Sequence, residues 1–246
     1  APAFRVQAVH VYGSLADLEL RQGHLRQAAE YWDKALGVIQ EQANWGTYPL
    51  PLTGWVYIRM GELLYEWNEL PQAWEHLVQG LERAELGGDV RAMIAGYLIA
   101  GRLKLTQGDR EAAAAYLEQA RPHLQDAQFA HWISRFERLQ LELWLAQERL
   151  RAAVNWSDQM LHNAAIEGRP ESAITQLAMA RVLIVKGDRP ATRQALALLE
   201  RLLQSAQEEG QTGVTIEALA LQALAQWQHG ERAANMIALE RALTML

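Results

Sequence analysis

The chain has 246 residues, half of them hydrophobic, and its acidic and basic side chains nearly cancel at a formal net charge of −6. It contains no cysteine, which excludes disulfides and cysteine-based metal sites. A mildly acidic chain has no sequence-wide attraction for phosphate, so we expect no nucleic-acid binding through this segment. No apolar run approaches the ~20 residues that a membrane span requires, and no signal-peptide pattern opens the chain. We therefore expect no membrane contact and a cytoplasmic location.

Turn signals divide the chain into six pairs of amphipathic segments. In each segment apolar residues recur at spacings of three and four, the pattern of a helix with one buried face, and the alternation typical of strands is missing. The predicted fold is therefore all-α. In chain order, the predicted helices are 4–22 and 25–43, 53–67 and 70–86, 89–107 and 110–125, 128–147 and 150–167, 170–186 and 190–209, and 212–229 and 231–246.

The longest joint between two pairs is residues 44–53, NWGTYPLPLT, in which two prolines and a glycine prevent a helix from continuing. Four aromatic residues cluster around this joint, namely Trp45, Tyr48, Trp55 and Tyr57. One interpretation is an aromatic shelf on which a sugar ring or a peptide stacks. The alternative is that these rings only fill space between long helices.

The stretch 54–124 repeats itself most clearly. A glycine in the first helix of a pair and a small residue in the second return forty residues later. Small residues are needed where two helices approach closely, so each copy is predicted to be a helical hairpin that stacks on the next one. The matching positions are Gly61, Leu70, Ala73 and Leu77 in the first copy, and Gly101, Arg110, Ala113 and Leu117 in the second.

The residues at the joints within the pairs resemble the tetratricopeptide repeat (TPR), although the period of 39 to 45 residues exceeds the ~34 of the standard repeat. The longer period, together with the segments GELLYEWNEL and LTQGDREAAAAYLEQA, resembles the superhelical sensor region of MalT-like activators. These are the large ATP-dependent members of the LuxR class of transcription regulators. The joint residues that carry the resemblance are Gly23/Leu25/Ala28, Asn68/Leu70/Ala73, Gly108/Arg110/Ala113 and Glu148/Leu150/Ala153.

The resemblance implies a right-handed solenoid of about six TPR-like hairpins, with about twelve helices, that forms a single domain over 1–246. Activators of that family also carry a nucleotide-binding module and a helix-turn-helix. Neither the G-x-x-x-x-G-K-[ST] motif nor a basic recognition helix is present, so we expect the chain to be a fragment of a larger protein. The last predicted helix stays apolar where a finished solenoid has a polar cap, which indicates either a cut surface or an oligomer contact. Its apolar residues are Met236, Ile237, Leu239, Leu243 and Leu246.

No catalytic or metal-binding arrangement is found in the sequence. The seven histidines are scattered, without an H-E-x-x-H motif or a pair at the spacing that two metal ligands on one helix need. A cysteine nucleophile is impossible, and no G-x-S-x-G motif occurs. We therefore predict a protein that is not an enzyme and holds no cofactor or metal.

The predicted ligand or partner site is a row of charged and aromatic residues on the first helix of each pair. In TPR superhelices this helix lines the concave groove, so the resemblance implies that the row faces inward. Carboxylates and guanidinium forks suit hydroxyl-rich ligands or peptide ends. The alternative is that these charges pair between neighbouring hairpins and only keep the stacking register. The predicted groove residues are Asp17, Trp55, Glu62, Tyr65, Arg102, Arg135, Arg138, Glu142 and Arg181.

The resemblance implies a regulatory sensor. The solenoid would bind an effector small molecule, for which a sugar is one candidate, or a controlling protein or peptide. Binding would then shift a larger activator towards an open, self-associating form, which requires different affinities for the two forms. The alternative is a general TPR scaffold that holds a peptide or a partner helix in its groove without a link to transcription.

Overall fold

The computed structural model describes residues 2–43, 52–167, 172–228, 230 and 232–245. This part of the chain is helical and contains no strand, so the predicted all-α class is confirmed. None of the helices described is both long and apolar enough to cross a bilayer. The α-helices in these ranges are α1 (Pro2–Gln22), α2 (Leu25–Ala43), α3 (Thr53–Glu66), α4 (Leu70–Gly87), α5 (Val90–Thr106), α6 (Arg110–Ala120), α7 (Ile133–Ala146), α8 (Leu150–Glu167), α9 (Ala173–Lys186), α10 (Arg189–Glu208), α11 (Thr212–Gln228) and α12 (Arg232–Leu243).

Two compact units divide the chain, Ala1–Leu139 and Gln140–Leu246, with the boundary inside α7. In the first unit α1 packs on α2, α3 on α4 and α5 on α6, and each hairpin packs on the next through contacts of α2 with α3 and of α4 with α5. In the second unit α9 packs on α10 and α11 on α12, and α10 contacts α11. The prediction of a single domain over 1–246 stays a prediction.

Two pairs of first helices from successive hairpins also lie side by side. We call α1, α3, α5, α7, α9 and α11 the leading helices. In the first unit α3 contacts α5, and in the second unit α9 contacts α11. This arrangement brings polar side chains together that are about forty residues apart in the sequence.

Each unit has its own apolar core, built from helix faces with the expected spacing. In the first unit Val56, Met60 and Leu63 recur along α3 at intervals of four and three, and they pack with the fully buried Trp32 of α2. In the second unit Leu177 of α9, Leu199 of α10 and Leu219 of α11 are buried in one cluster. The amphipathic pattern therefore indicated the buried faces correctly.

The joints within the hairpins turn at residues whose φ is positive. After α1, Gly23 has φ 84°, and the next amide, that of His24, donates to the carbonyl of Glu19 at 2.9 Å. This is the Schellman end of a helix, which favours glycine because the left-handed conformation crowds a Cβ. Glu148 has φ 60° at the corresponding joint after α7, where a non-glycine residue costs roughly 1 kcal/mol.

The helix bounds depart most from the prediction between α6 and α7. The predicted helices end at 125 and resume at 128, whereas α6 ends at Ala120 and two 3-10 helices, Arg121–Gln125 and Ala127–Trp132, precede α7. Pro122 has no amide hydrogen to donate to α6, which accounts for the change of helix type. As a consequence, Trp132 is placed just before α7 and is buried.

Two glycines allow α3 and α4 to approach closely. A Cβ on Gly80 of α4 would lie 2.9 Å from the backbone nitrogen of Ile58 and 3.0 Å from the carbonyl oxygen of Gly54. A Cβ on Gly54 would lie 2.8 Å from the backbone nitrogen of Ala84. Real Cβ contacts are not this short, so neither position has room for a side chain. The sequence repeat drew attention to Gly61 and Gly101 and did not indicate this contact.

Candidate functional site

A buried arginine joins two leading helices of the first unit. The side chain of Arg59, on α3, is 7% exposed, and its Nη2 and Nε atoms donate to Oδ1 of Asp17 on α1 at 2.5 and 3.1 Å. Its Nη1 atom donates to Glu62 Oε2, one turn further along α3. The side chain of Glu62 is 9% exposed, so this pair is held away from water. One guanidinium and two carboxylates therefore form a charged cluster between the helices.

Two further arginines, on α7 and α5, carry charges that act on Glu62. Arg135 Nη1, on α7, lies 3.5 Å from Glu62 Oε1. Arg102 Nη1, on α5, lies 3.5 Å from Glu66 Oε1, and its guanidinium sits 4.8 Å from the ring centre of Tyr65. The four leading helices of the first unit thus share one set of charged side chains. We call it the leading-helix network: Asp17, Arg59, Glu62, Glu66, Arg102 and Arg135.

An aromatic pair adjoins the network. The rings of Trp55 and Trp132 meet edge to face with centres 6.4 Å apart. Over the Trp55 ring lie the guanidinium groups of Arg91, at 3.7 Å, and Arg59, at 5.5 Å. Arg135 lies 5.0 Å from the centre of the Trp132 ring. We call these two rings with Arg91 and Arg135 the tryptophan–arginine cluster.

The charges of the network shift each other's pKa. Burial by itself favours neutral Arg59, but the charges of Glu62 and Asp17 outweigh burial and raise the pKa of Arg59 above its ordinary value. Burial also favours neutral Glu62, but the charges of Arg59, Arg135 and Arg102 outweigh it and hold the pKa of Glu62 below its ordinary value. Both groups are therefore charged at neutral pH.

Acid is expected to destabilise the fold through Glu62. Because its pKa is lower in the folded chain than the ~4.3 of an unfolded glutamate, its stabilising contribution is complete above that value and is lost as the pH falls through the folded-state pKa. We expect the free energy of unfolding, measured by urea titration, to fall between about pH 5 and pH 3, and to fall less steeply in Glu62→Gln. Equal pH dependence in the two proteins would assign the effect to other carboxylates.

A second cross-link between leading helices lies in the second unit. Arg181 Nη2 of α9 donates to Glu217 Oε1 of α11 at 2.8 Å, with the two side chains 34% and 22% exposed. The Arg181 Nε atom is buried and meets no acceptor among the described residues. Pairing between successive leading helices is therefore found in both units.

Several of the predicted groove residues take part in such pairing. In the first unit Tyr65 also bonds across hairpins, since its hydroxyl lies 2.9 Å from Thr106 Oγ1 on α5. Arg138 and Glu142 are half-buried on α7, and each interacts with another group. The pairing between hairpins is the alternative that the sequence left open, and a role in ligand binding stays a prediction. The residues that the first unit brings together are Asp17, Trp55, Glu62, Tyr65, Arg102 and Arg135.

Four residues of the network and the tryptophan–arginine cluster were missed in the sequence, namely Arg59, Glu66, Arg91 and Trp132. Arg59 was detectable, because it is the only charged residue in the otherwise apolar segment 54–61 and lies three positions before Glu62, on the same helix face. Arg91 and Trp132 gave no comparable signal. Their positions depend on how α5 and the 3-10 helix before α7 pack against Trp55.

The aromatic shelf is not available in the part of the chain that the structure describes. Trp45 and Tyr48 lie outside the described residues. Tyr57 is 9% exposed, with the Arg83 guanidinium 4.5 Å from its ring centre and the tilted ring of His76 at 5.7 Å. The ring of Trp55 lies against the guanidinium groups of Arg91 and Arg59. Both described rings are therefore already in contact with other side chains.

Apolar side chains remain exposed on α11 and α12, as the sequence indicated for the last helix. Trp227 is 60% exposed and Ile237 59%. Leu246 lies outside the described residues. The exposed members of this apolar face are Leu224, Trp227, Met236, Ile237, Leu239 and Leu243.

The described side chains of the site offer charges, hydrogen-bonding groups and aromatic faces. No group of three or more potential metal ligands occurs among the described residues. The exposed ends of the network are the guanidinium groups of Arg102 and Arg135, whose side chains are 27% and 42% exposed. These groups donate hydrogen bonds in a fixed planar geometry that matches carboxylate, phosphate or hydroxyl oxygens.

Comparison with known proteins agrees with the repeat and its joints. A family model described as the MalT-like TPR region matches residues 3–245. No curated protein matches the chain significantly. The match covers nearly every residue, including all the helices that carry the leading-helix network. The chain therefore belongs to the family of MalT-like TPR regions.

Proposed function

We propose that this chain is the effector-sensing region of a MalT-like bacterial transcription regulator that acts in the cytoplasm. The observation that carries the proposal is the leading-helix network, a buried ion cluster with two partly exposed arginines, in a chain of this family. A structural ion pair needs no exposed members. Arg102 and Arg135 leave donors at the surface, where an effector binds.

Such a ligand acts on several hairpins at once. Arg135 belongs to α7, its partner Glu62 to α3, and Glu62 also holds Arg59, which reaches Asp17 on α1. A ligand that pulls Arg135 away from Glu62 therefore changes the balance of charge between three leading helices. If the full regulator has a closed and a self-associating form with different spacing of these helices, the ligand binds them with different affinity and shifts the population.

A second candidate is contact with a protein, as in a general TPR scaffold. The observation that favours it is the apolar face on α11 and α12, because adjoining exposed apolar residues often mark a surface that another protein covers. In a regulator, self-association through this face would be compatible with effector binding in the first unit. In a scaffold, the apolar face would be the main site.

A thermal-shift screen of the whole chain against sugars, amino acids and short peptides tests the sensor proposal. A ligand at ~100 times its dissociation constant stabilises the protein by about 2.7 kcal/mol. We expect the shift to shrink in Arg102→Ala and in Arg135→Ala. The matched control is Arg110→Ala, which removes an exposed arginine at the start of α6. Shifts of equal size in all three variants would place the binding elsewhere and contradict the proposal.

A further inference from the structure

The tryptophan–arginine cluster has more hydrogen-bond donors than acceptors. Arg91, Arg135 and the indole N–H of Trp132 are donors, and none of them has a lone pair to offer in its protonated form. The carboxylates nearby are Asp17 and Glu62, and both are bonded to Arg59. Whether these donors lack an acceptor therefore depends on the contacts that each of the three makes.

Arg91 is the clearest case of an unused donor. Its guanidinium lies 3.7 Å from the ring centre of Trp55, yet it forms no ion pair with any described residue. The carboxylate nearest in sequence, Asp89, accepts the Ala92 amide hydrogen at 3.0 Å and caps α5. Stacking on an indole leaves the edge of a guanidinium, with its N–H groups, free to bind an anion.

Arg135 is only weakly paired. Its one carboxylate partner among the described residues is Glu62 at 3.5 Å, and Glu62 already accepts a closer hydrogen bond from Arg59. The side chain of Arg135 is 42% exposed, so part of it is in contact with solvent. A pair of this length and exposure contributes little and is readily exchanged for a better acceptor.

Trp132 adds a third donor. It is 5% exposed, and its Nε1 atom is buried without an acceptor among the described residues. A buried N–H that lacks a partner is unfavourable. An acceptor that reaches Nε1 after a small movement of the neighbouring side chains relieves this cost.

We propose that Arg91, Arg135 and Trp132 bind the oxyanion of a small molecule, a carboxylate or a phosphate. This inference rests on the proposed sensor function and names the chemical class of the effector. The guanidinium groups of Arg59 and Arg135 already pair with carboxylates, whereas that of Arg91 pairs with none among the described residues, so an oxyanion supplies the partner that Arg91 lacks.

A neutral ring fits the cluster less well. A sugar or another uncharged ring is held mainly by stacking on an aromatic face, and Arg91 already lies at stacking distance over Trp55. To stack there, a neutral ring has to displace a guanidinium group, and it forms no ion pair that would compensate for the lost contact. An anion instead uses the guanidinium where it lies.

The test is calorimetric titration and thermal shift of the whole chain with succinate, citrate and inorganic phosphate, with succinamide as the neutral analogue and sodium chloride at matched ionic strength. We expect at least one oxyanion to stabilise the protein and succinamide and chloride to have no effect. Stabilisation by phosphate but not by the carboxylates, or the reverse, identifies which oxyanion is recognised.

Glutamine variants locate the binding. Arg91→Gln and Arg135→Gln are each expected to lower the affinity for the stabilising anion about tenfold, because each removes one charge-assisted hydrogen bond. The matched control is Arg83→Gln, since Arg83 also lies over an aromatic ring, that of Tyr57, at 4.5 Å. We expect less than a twofold change there.

Three results would overturn the inference, and the first two differ in whether the proposed sensor function is also contradicted. In the first result, neutral compounds from the sensor screen bind and lose affinity in Arg102→Ala or Arg135→Ala, whereas none of the oxyanions binds. The effector is then not an anion, and the proposed sensor function still holds. If neither neutral compounds nor oxyanions bind, both fall. An effect of Arg83→Gln equal to that of Arg91→Gln would also overturn the site.

Discussion

Replacing Arg59 by alanine is expected to lower the free energy of unfolding by about 3–5 kcal/mol, the usual range for breaking a buried ion pair. The substitution removes the cation that satisfies Glu62 and Asp17. Glu62 is then a nearly buried carboxylate whose remaining partner is Arg135 at 3.5 Å. The lost free energy of unfolding comes mainly from this buried, poorly paired charge, and less from the ion pair itself.

Urea unfolding followed by far-ultraviolet circular dichroism measures the effect. The matched control is Arg102→Ala, which also removes a leading-helix arginine, but one that is 27% exposed and 3.5 Å from its carboxylate. We expect a loss below about 1 kcal/mol for this variant. Equal losses of unfolding free energy in the two variants would mean that the burial of Arg59 does not determine its contribution to stability.

A double substitution distinguishes the unpaired charge of Glu62 from the loss of the ion pair as the cause of the lower stability. Arg59→Met with Glu62→Gln removes both charges and keeps side chains of similar length. If the stranded charge dominates the single variant, the double variant recovers a large part of the lost stability, since replacing a buried pair by neutral residues is often close to neutral. A double variant as unstable as Arg59→Ala would show that the ion pair itself, or its link to Asp17, carries the stability.

Replacing Gly80 by alanine is expected to destabilise the protein by about 2 kcal/mol. A Cβ there would lie 2.9 Å from the Ile58 nitrogen and 3.0 Å from the Gly54 oxygen, both backbone atoms. Backbone contacts are relieved only by moving α3 and α4 apart, and overpacking of this kind costs about 1–3 kcal/mol or more. The better helix propensity of alanine, worth up to ~1 kcal/mol, offsets part of the loss.

The control for this prediction is Gly37→Ala in α2. Gly37 also lies inside a helix of the first unit, but a Cβ there would have nothing within 4 Å. Alanine is therefore expected to stabilise the protein by about 0.5–1 kcal/mol through helix propensity alone. Both variants are compared by the same urea titration. Stabilisation by Gly80→Ala as well would show that α3 and α4 are not in close backbone contact.

The sequence by itself determined the helices, the joints between them and the family. The prediction 25–43 coincides with α2, and the residue with positive φ is the joint residue of the repeat at Gly23, Asn68 and Gly108. These features depend on apolar spacing within one helix and on the conformational freedom of single residues. Both are local, so neighbouring residues in the sequence carry the information.

Only the tertiary structure decided which charges meet and where helices touch. Arg59 and Asp17 are 42 residues apart, and Arg135 and Glu62 are 73 apart. Gly101, which the repeat emphasised, faces the end of a flexible side chain, Leu139, whereas Gly80 faces backbone. Such contacts depend on the rotation and offset of one helix against another. Periodicity along a single helix does not fix these quantities, because they result from the packing of all the side chains between the helices.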